Sequence, residues 1–146
     1  MLENPDDYAK ARAELTSICS AFGTDVPPIG SEGKALALID SGNLVYDPAT
    51  EKIEYKLKVK LDIGGGKTID AVSFGDATQK DLEEIHRDIR VISRAGETEI
   101  SLGDTDVMTA RIIARLGKIN TGLVDRMAGR DVRALSEVFS ILGFFG

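Results

Sequence analysis

The sequence predicts an α+β domain with N-terminal helices, a three-stranded antiparallel β-meander and a helical C-terminal half. Apolar residues recur at helical spacing in residues 8–22 and in three stretches after residue 77. Residues 53–61 instead alternate apolar and charged side chains, the pattern of a half-buried antiparallel strand. A chain of 146 residues provides about one domain.

Two helices are predicted in the first 42 residues. Asn4 is a good N-cap, and Pro5 suits the first helical position. Apolar side chains then follow one face as far as Gly23, where the helix is expected to end. Residues 24–30 form a linker, and a second, short helix is expected to begin at Ser31.

A β-meander is predicted next. Residues 47–50 (DPAT) form its first turn, and residues 68–74 return after its second turn. The long middle strand is expected to place one set of residues inward: Ile53, Tyr55, Leu57, Val59 and Leu61. The opposite face carries Lys56, Lys58 and Lys60, which fit a solvated face better than a phosphate-binding stripe and also discourage edge-to-edge aggregation.

The second turn of the meander, Gly64-Gly65-Gly66, has two interpretations. The stretch LDIGGGKTIDAVS resembles the first phosphate loop of actin-like and sugar-kinase ATPases, which would make the protein a small nucleotide-binding regulator. Those ATPases need two lobes, each about the size of this whole chain. A tight hairpin that requires positive φ explains the same glycines without a ligand.

The C-terminal half is predicted to be helical. Thr78 caps a helix with Asp81 as its capping-box partner. Residues 93–104 form a loop with one short extended segment, and Asp104 or Thr105 caps a helix that ends at Gly117. Residues 119–129 are a connector with one helical turn, and a last helix begins near Arg130.

Composition narrows the classes of function. The chain has 24 acidic and 18 basic residues, a net charge of −6, which disfavours nucleic acid as the main partner. It has no run of apolar residues that could span a membrane, and its acidic N-terminus does not resemble a secretory signal. These features favour a protein of the cytoplasm that has no membrane partner.

Catalytic and metal sites are not indicated. His86, the only histidine, lies among charged residues of a helix and is expected to be solvated. Without a second histidine or an adjacent nucleophile, a hydrolase triad has no base. Asp104 and Asp106 lack the remainder of a calcium loop, so helix capping explains them better. We expect a protein that is not an enzyme and that needs no cofactor or metal.

The second half of the chain resembles a known family. The matching pieces are residues 77–82 (ATQKDL), 113–116 (IARL), 121–123 (TGL) and 131–135 (DVRAL). In this order they resemble the phage tail assembly chaperones related to the small tail proteins of Mu-like and P2-like contractile phages. The resemblance covers residues 43–146, so the chain divides into an N-terminal helical segment, 1–42, and a tail-chaperone-like α+β domain, 43–146, expected to form one compact unit.

This resemblance implies a function in binding. Such chaperones hold the long, aggregation-prone tape measure protein until the tail tube polymerises around it, so the tape measure protein, the tail tube protein and further copies of the chain are the expected partners. A structural or adaptor protein of the same tail is the alternative from another class.

The C-terminal helix supplies the predicted partner-binding residues. They are Val132, Leu135, Phe139, Leu142, Phe144 and Phe145, an apolar stripe with no charge after Glu137. An amphipathic stripe of this kind either meets a partner or covers the sheet of its own domain. Arginines in the same half could face an acidic partner or the acidic N-terminal part of this chain: Arg111, Arg115, Arg126, Arg130 and Arg133.

Overall fold

The computed structural model describes residues 4–94 and 105–144, without the side chains of residues 86, 88–94 and 105–107. In this part of the chain, helices combine with one three-stranded antiparallel sheet, which confirms the predicted α+β fold. The elements are α1 (Pro5–Ala21), α2 (Ala35–Asp40), β1 (Leu44–Asp47), β2 (Lys52–Gly64), β3 (Lys67–Phe74), α3 (Gln79–Arg94), α4 (Thr105–Leu116), α5 (Thr121–Val124) and α6 (Gly129–Ile141).

The sheet is a simple meander in the order β1-β2-β3. Gly64 pairs with Lys67, and the two residues between them have positive φ angles, 64° at Gly65 and 75° at Gly66. Two consecutive positive φ angles are the geometry of a type I′ hairpin turn, which right-twisted strands favour. The prediction that these glycines serve positive φ is confirmed.

Strand β2 contains an irregularity that the alternation pattern does not predict. Lys56 pairs with Ala71 and Leu61 with Ile69, so residues 57–60 lie opposite Asp70 alone. The extra residues form a bulge, which leaves part of one strand without ladder partners. Val59 lies in this bulge and is 45% exposed, so its predicted inward position was wrong.

The main core lies between the sheet and the helices and draws on both halves of the chain. Ile18 of α1, Phe22 directly after it and Leu38 of α2 belong to the same buried cluster as Phe74 of β3 and Phe139 of α6. Residues 4–42 therefore pack on the rest of the protein. Cys19 is buried in a smaller cluster with Ala35 and Leu36 of α2.

The segment before α2 is held by a buried carboxylate. Glu32 is 2% exposed and accepts hydrogen bonds from the Tyr8 hydroxyl, from Nη1 of Arg12 and from the backbone N–H of Gly30. Gly33 has a φ of 61°, which is outside the helical range. Helix α2 therefore begins at Ala35, and the predicted start at Ser31 was wrong.

Glu32 should make folding sensitive to acid. The hydrogen bond from Tyr8 is the largest of several contacts that hold the pKa of Glu32 below its usual value. A carboxyl whose pKa is depressed by folding stabilises the protein above its unfolded pKa, and this stabilisation is lost as the pH falls through the folded pKa. We expect Glu32→Gln to cost about 1 to 2 kcal/mol at pH 7 and to flatten the loss of stability as the pH falls below the ordinary glutamate pKa of about 4.3.

Urea unfolding at a series of pH values measures this effect. Glu54→Gln is the matched control, because Glu54 is exposed on the sheet. Equal pH profiles for the two variants would contradict the assigned role of Glu32.

The capping box predicted for the first helix of the C-terminal half is present. The Thr78 hydroxyl accepts from the Asp81 N–H at 3.1 Å, and Asp81 accepts from the Thr78 N–H at 3.0 Å, so the capping box of α3 is confirmed. The predicted helical turn in the connector is α5, and the last helix begins one residue before Arg130. The predicted extended segment and the capping role of Asp104 fall largely on residues 95–104, outside the described residues.

Candidate functional site

The predicted partner-binding stripe is mostly covered by this chain's own core. Leu135 and Phe139 are fully buried, and Leu142 and Phe144 are nearly so. Val132 is half-buried, and Phe145 lies outside the described residues. The four buried residues belong to this chain's own core, which is the second of the two interpretations of the stripe, and a role in partner binding stays a prediction.

The end of α6 explains how Phe144 becomes buried. Gly143 has a φ of 79°, its N–H donates to the Ser140 carbonyl, and the Phe144 N–H donates to the Phe139 carbonyl at 3.0 Å. These two bonds form a Schellman motif, in which an apolar residue after the glycine contacts the last helical turn. The Phe144 ring accordingly lies 5.5 Å from that of Phe139 and 6.2 Å from that of Phe22.

A different feature has the character of a binding site. A cleft of about 390 Å³ opens between α2, the bulge of β2 and the first turns of α6. We call it the cationic cleft. Its lining consists of four cations, two polar residues and three apolar residues: Lys34, Lys58, Arg130, Arg133, Ser41, Asn43, Ala37, Leu38 and Ala134.

One buried carboxylate joins two walls of the cationic cleft. Asp131, in the first turn of α6, is fully buried; its Oδ1 accepts from the Tyr55 hydroxyl at 2.7 Å and from the Lys58 N–H at 2.9 Å. Its Oδ2 accepts from the Val59 N–H at 3.2 Å. Asp131 thus binds the N–H groups that the bulge withdraws from the ladder, and it fixes Lys58 beside Arg130 and Arg133.

Polar contacts also fix the third wall, at the two ends of α2. The backbone N–H of Lys34 donates to Oε2 of Glu137, on α6, at 2.9 Å. At the other end, the Ser41 hydroxyl donates to Oδ1 of Asn43 at 2.7 Å, and the Asn43 amide donates to the Lys56 carbonyl at 3.2 Å. The backbones that carry the cations are therefore held in place.

Two carboxylates, Asp131 and Glu137, hold the walls of the cationic cleft by accepting from backbone N–H groups, not by pairing with its cations. Within the described residues, no carboxylate lies within 4.0 Å of the side-chain nitrogens of Lys34, Lys58, Arg130 or Arg133. All four side chains are exposed. Four cations gathered around one cleft attract anions even though the whole chain carries a net charge of −6.

Among the remaining basic candidates, one pairs with carboxylates of this chain and others are exposed to solvent. Nε of Arg115 lies 2.8 Å from Oδ1 of Asp81, and its Nη2 contacts Glu84, so this arginine pairs with the chain itself. The backbone N–H of Thr78 and the side chain of Arg115 lower the pKa of Asp81. The ion pair between Asp81 and Arg115 links α3 to α4. Lys56 and Lys60 are exposed on β2, and only Lys58 of this set lines the cleft.

The described structure does not support a binding site at the glycine turn, and it does not test His86, Asp104 or Asp106 as site residues. The Gly64 N–H donates to Oδ1 of Asp62 at 2.8 Å, so this amide of the glycine turn is already used inside the hairpin. The side chains of His86 and Asp106, and all of Asp104, lie outside the described part of the protein. In the described residues, no cluster of His, Cys, Asp and Glu could hold a metal ion, and none of the helices is long and apolar enough to cross a membrane.

The sequence and the structure were compared with those of known proteins. Searches against protein-family models, curated protein sequences and solved structures each found no match.

Proposed function

We propose that this protein is a non-enzymatic phage tail assembly chaperone, which holds the tape measure protein before the tail tube forms. One observation carries the proposal. Three polar residues of the family-like motifs join separate elements: Asp81 pairs with Arg115, and Asp131 binds the bulge of β2. These contacts support the proposal because they give the motif residues a structural role beyond amphipathic spacing.

The cationic cleft supplies the binding surface in this proposal. The apolar stripe of α6 is occupied by the core, whereas the cleft is open and its cations lack acidic partners among the described residues. A chaperone must release its client when the tube polymerises. Exposed ion pairs suit such a role because each contributes little and depends on salt.

Co-expression with the long helical protein encoded downstream, followed by a pull-down through a tag on this chain, tests the proposal. We expect the two proteins to co-purify and this chain to be absent from purified particles. Failure to co-purify, with the chain present in particles, would replace the proposal with a structural tail protein. The absence of any long helical neighbour, together with nucleotide binding that Gly65→Val abolishes, would replace it with a nucleotide-binding regulator.

A further inference from the structure

We propose that the cationic cleft is a carboxylate-binding site that takes an acidic segment of the partner protein. The inference deepens the proposed function, because it names the chemistry by which the client is recognised. It depends on how four positive charges from distant parts of the sequence, at positions 34, 58, 130 and 133, converge on one opening.

The shape of the cleft fits side chains better than a nucleic acid. A volume of about 390 Å³ accepts a few side chains, whereas a duplex needs an extended surface that follows its backbone. Leu38 and Ala134 are buried and provide an apolar lining. The methylene groups of a glutamate can pack on such a lining while its carboxylate reaches the rim.

The charges favour a short acidic segment over a polyanion. Arg130 and Arg133 carry planar guanidinium groups, which match a carboxylate with two parallel hydrogen bonds. Lys34 and Lys58 add point charges across the opening. The net charge of −6 repels a long polyanion such as nucleic acid, but a few carboxylates placed at the cleft meet mainly the local cations.

Fluorescence anisotropy with the full chain tests the inference. The probe is a fluorescein-labelled alanine-based peptide, about 16 residues long, with glutamates at helical spacing on one face, and glutamine replaces each glutamate in the control peptide. We expect the glutamate peptide to bind and the glutamine peptide not to bind. Binding should weaken clearly between about 50 and 200 mM salt, because the contacts are exposed ion pairs.

Charge reversal locates the site. Lys58→Glu with Arg133→Glu should weaken peptide binding by about tenfold or more, because two attractive contacts become repulsive. Lys56→Glu with Arg126→Glu changes the net charge equally outside the cleft and should alter affinity by less than about twofold. If the reversed cleft variant fails to fold by circular dichroism, Lys58→Gln with Arg133→Gln takes its place.

Three results would overturn the inference: no binding of the glutamate peptide, equal weakening by the cleft and control variants, or cleft-dependent binding of a 20-nucleotide single strand instead of the peptide. The pull-down keeps the two proposals separate. Co-purification without peptide binding removes only the carboxylate site, and peptide binding without co-purification removes only the chaperone function.

Discussion

Asp131→Ala is expected to lower the free energy of unfolding by about 3 to 5 kcal/mol. The substitution leaves the Tyr55 hydroxyl and the N–H groups of Lys58 and Val59 without their acceptor. An unsatisfied donor at a buried site costs about 1 to 3 kcal/mol. Since a domain is stable by only about 5 to 15 kcal/mol, the variant should be close to unfolding.

Urea unfolding followed by circular dichroism measures this loss. Asp70→Ala is the matched control, because Asp70 is exposed on β3 opposite the same bulge, and it should change stability by less than about 0.5 kcal/mol. Tyr55→Phe removes the hydroxyl that donates to Asp131, so only that one hydrogen bond is lost. It should cost about 1 kcal/mol. Equal midpoints for the two aspartate variants would mean that Asp131 does not hold the bulge.

The hairpin and the helices could be predicted because their signals are local. Asn4 and Thr78 lie within three residues of the N–H groups that they cap, and the turn glycines act on their own backbone. The prediction fails where contacts with a residue distant in sequence determine the local conformation. Val59 follows the alternation of β2, yet it turns outward in a bulge whose N–H groups are bound by Asp131, 72 positions away.

Helix α2 shows the same limit. A start at Ser31 is reasonable from propensity alone, but Glu32 bonds to Tyr8, 24 positions earlier, instead of entering a helix. In the sequence, nothing distinguishes this glutamate from a solvated one.

The cationic cleft was not predicted as a site for a related reason. In the sequence, Lys58 belongs to the charged face of β2, and the arginines of α6 belong to the basic side chains of the C-terminal half. No local pattern marks Lys34, Ser41 or Asn43 as part of a site. Long-range contacts bring these residues to one opening, chiefly those of Asp131 with the β2 bulge and of Glu137 with the Lys34 N–H. The first-turn acidic position of Asp131 does not reveal its contact, because the helix dipole already explains it.

Phe139→Ala is expected to cost about 3 to 5 kcal/mol in the isolated protein. The Phe139 side chain is fully buried, and its ring meets that of Phe74 edge-on at 5.2 Å and that of Phe144 at 5.5 Å. Truncation removes these contacts and leaves a cavity between the sheet and α6. Thermal unfolding of the purified chain, without any partner, measures the loss.

The control variant for Phe139→Ala is Val132→Ala. Val132 belongs to the same predicted stripe on α6 but is half-buried, so its truncation should cost about 1 kcal/mol or less. A residue that served only to anchor a partner would lose binding and leave the isolated chain as stable as before. If Phe139→Ala leaves the isolated chain as stable as before, the packing of α6 on the sheet contributes little to stability. The stripe of α6 would then be available to a client. If Phe139→Ala destabilises the chain as expected, variants of the stripe would lose a client through unfolding, and only the cationic cleft variants can locate the binding surface.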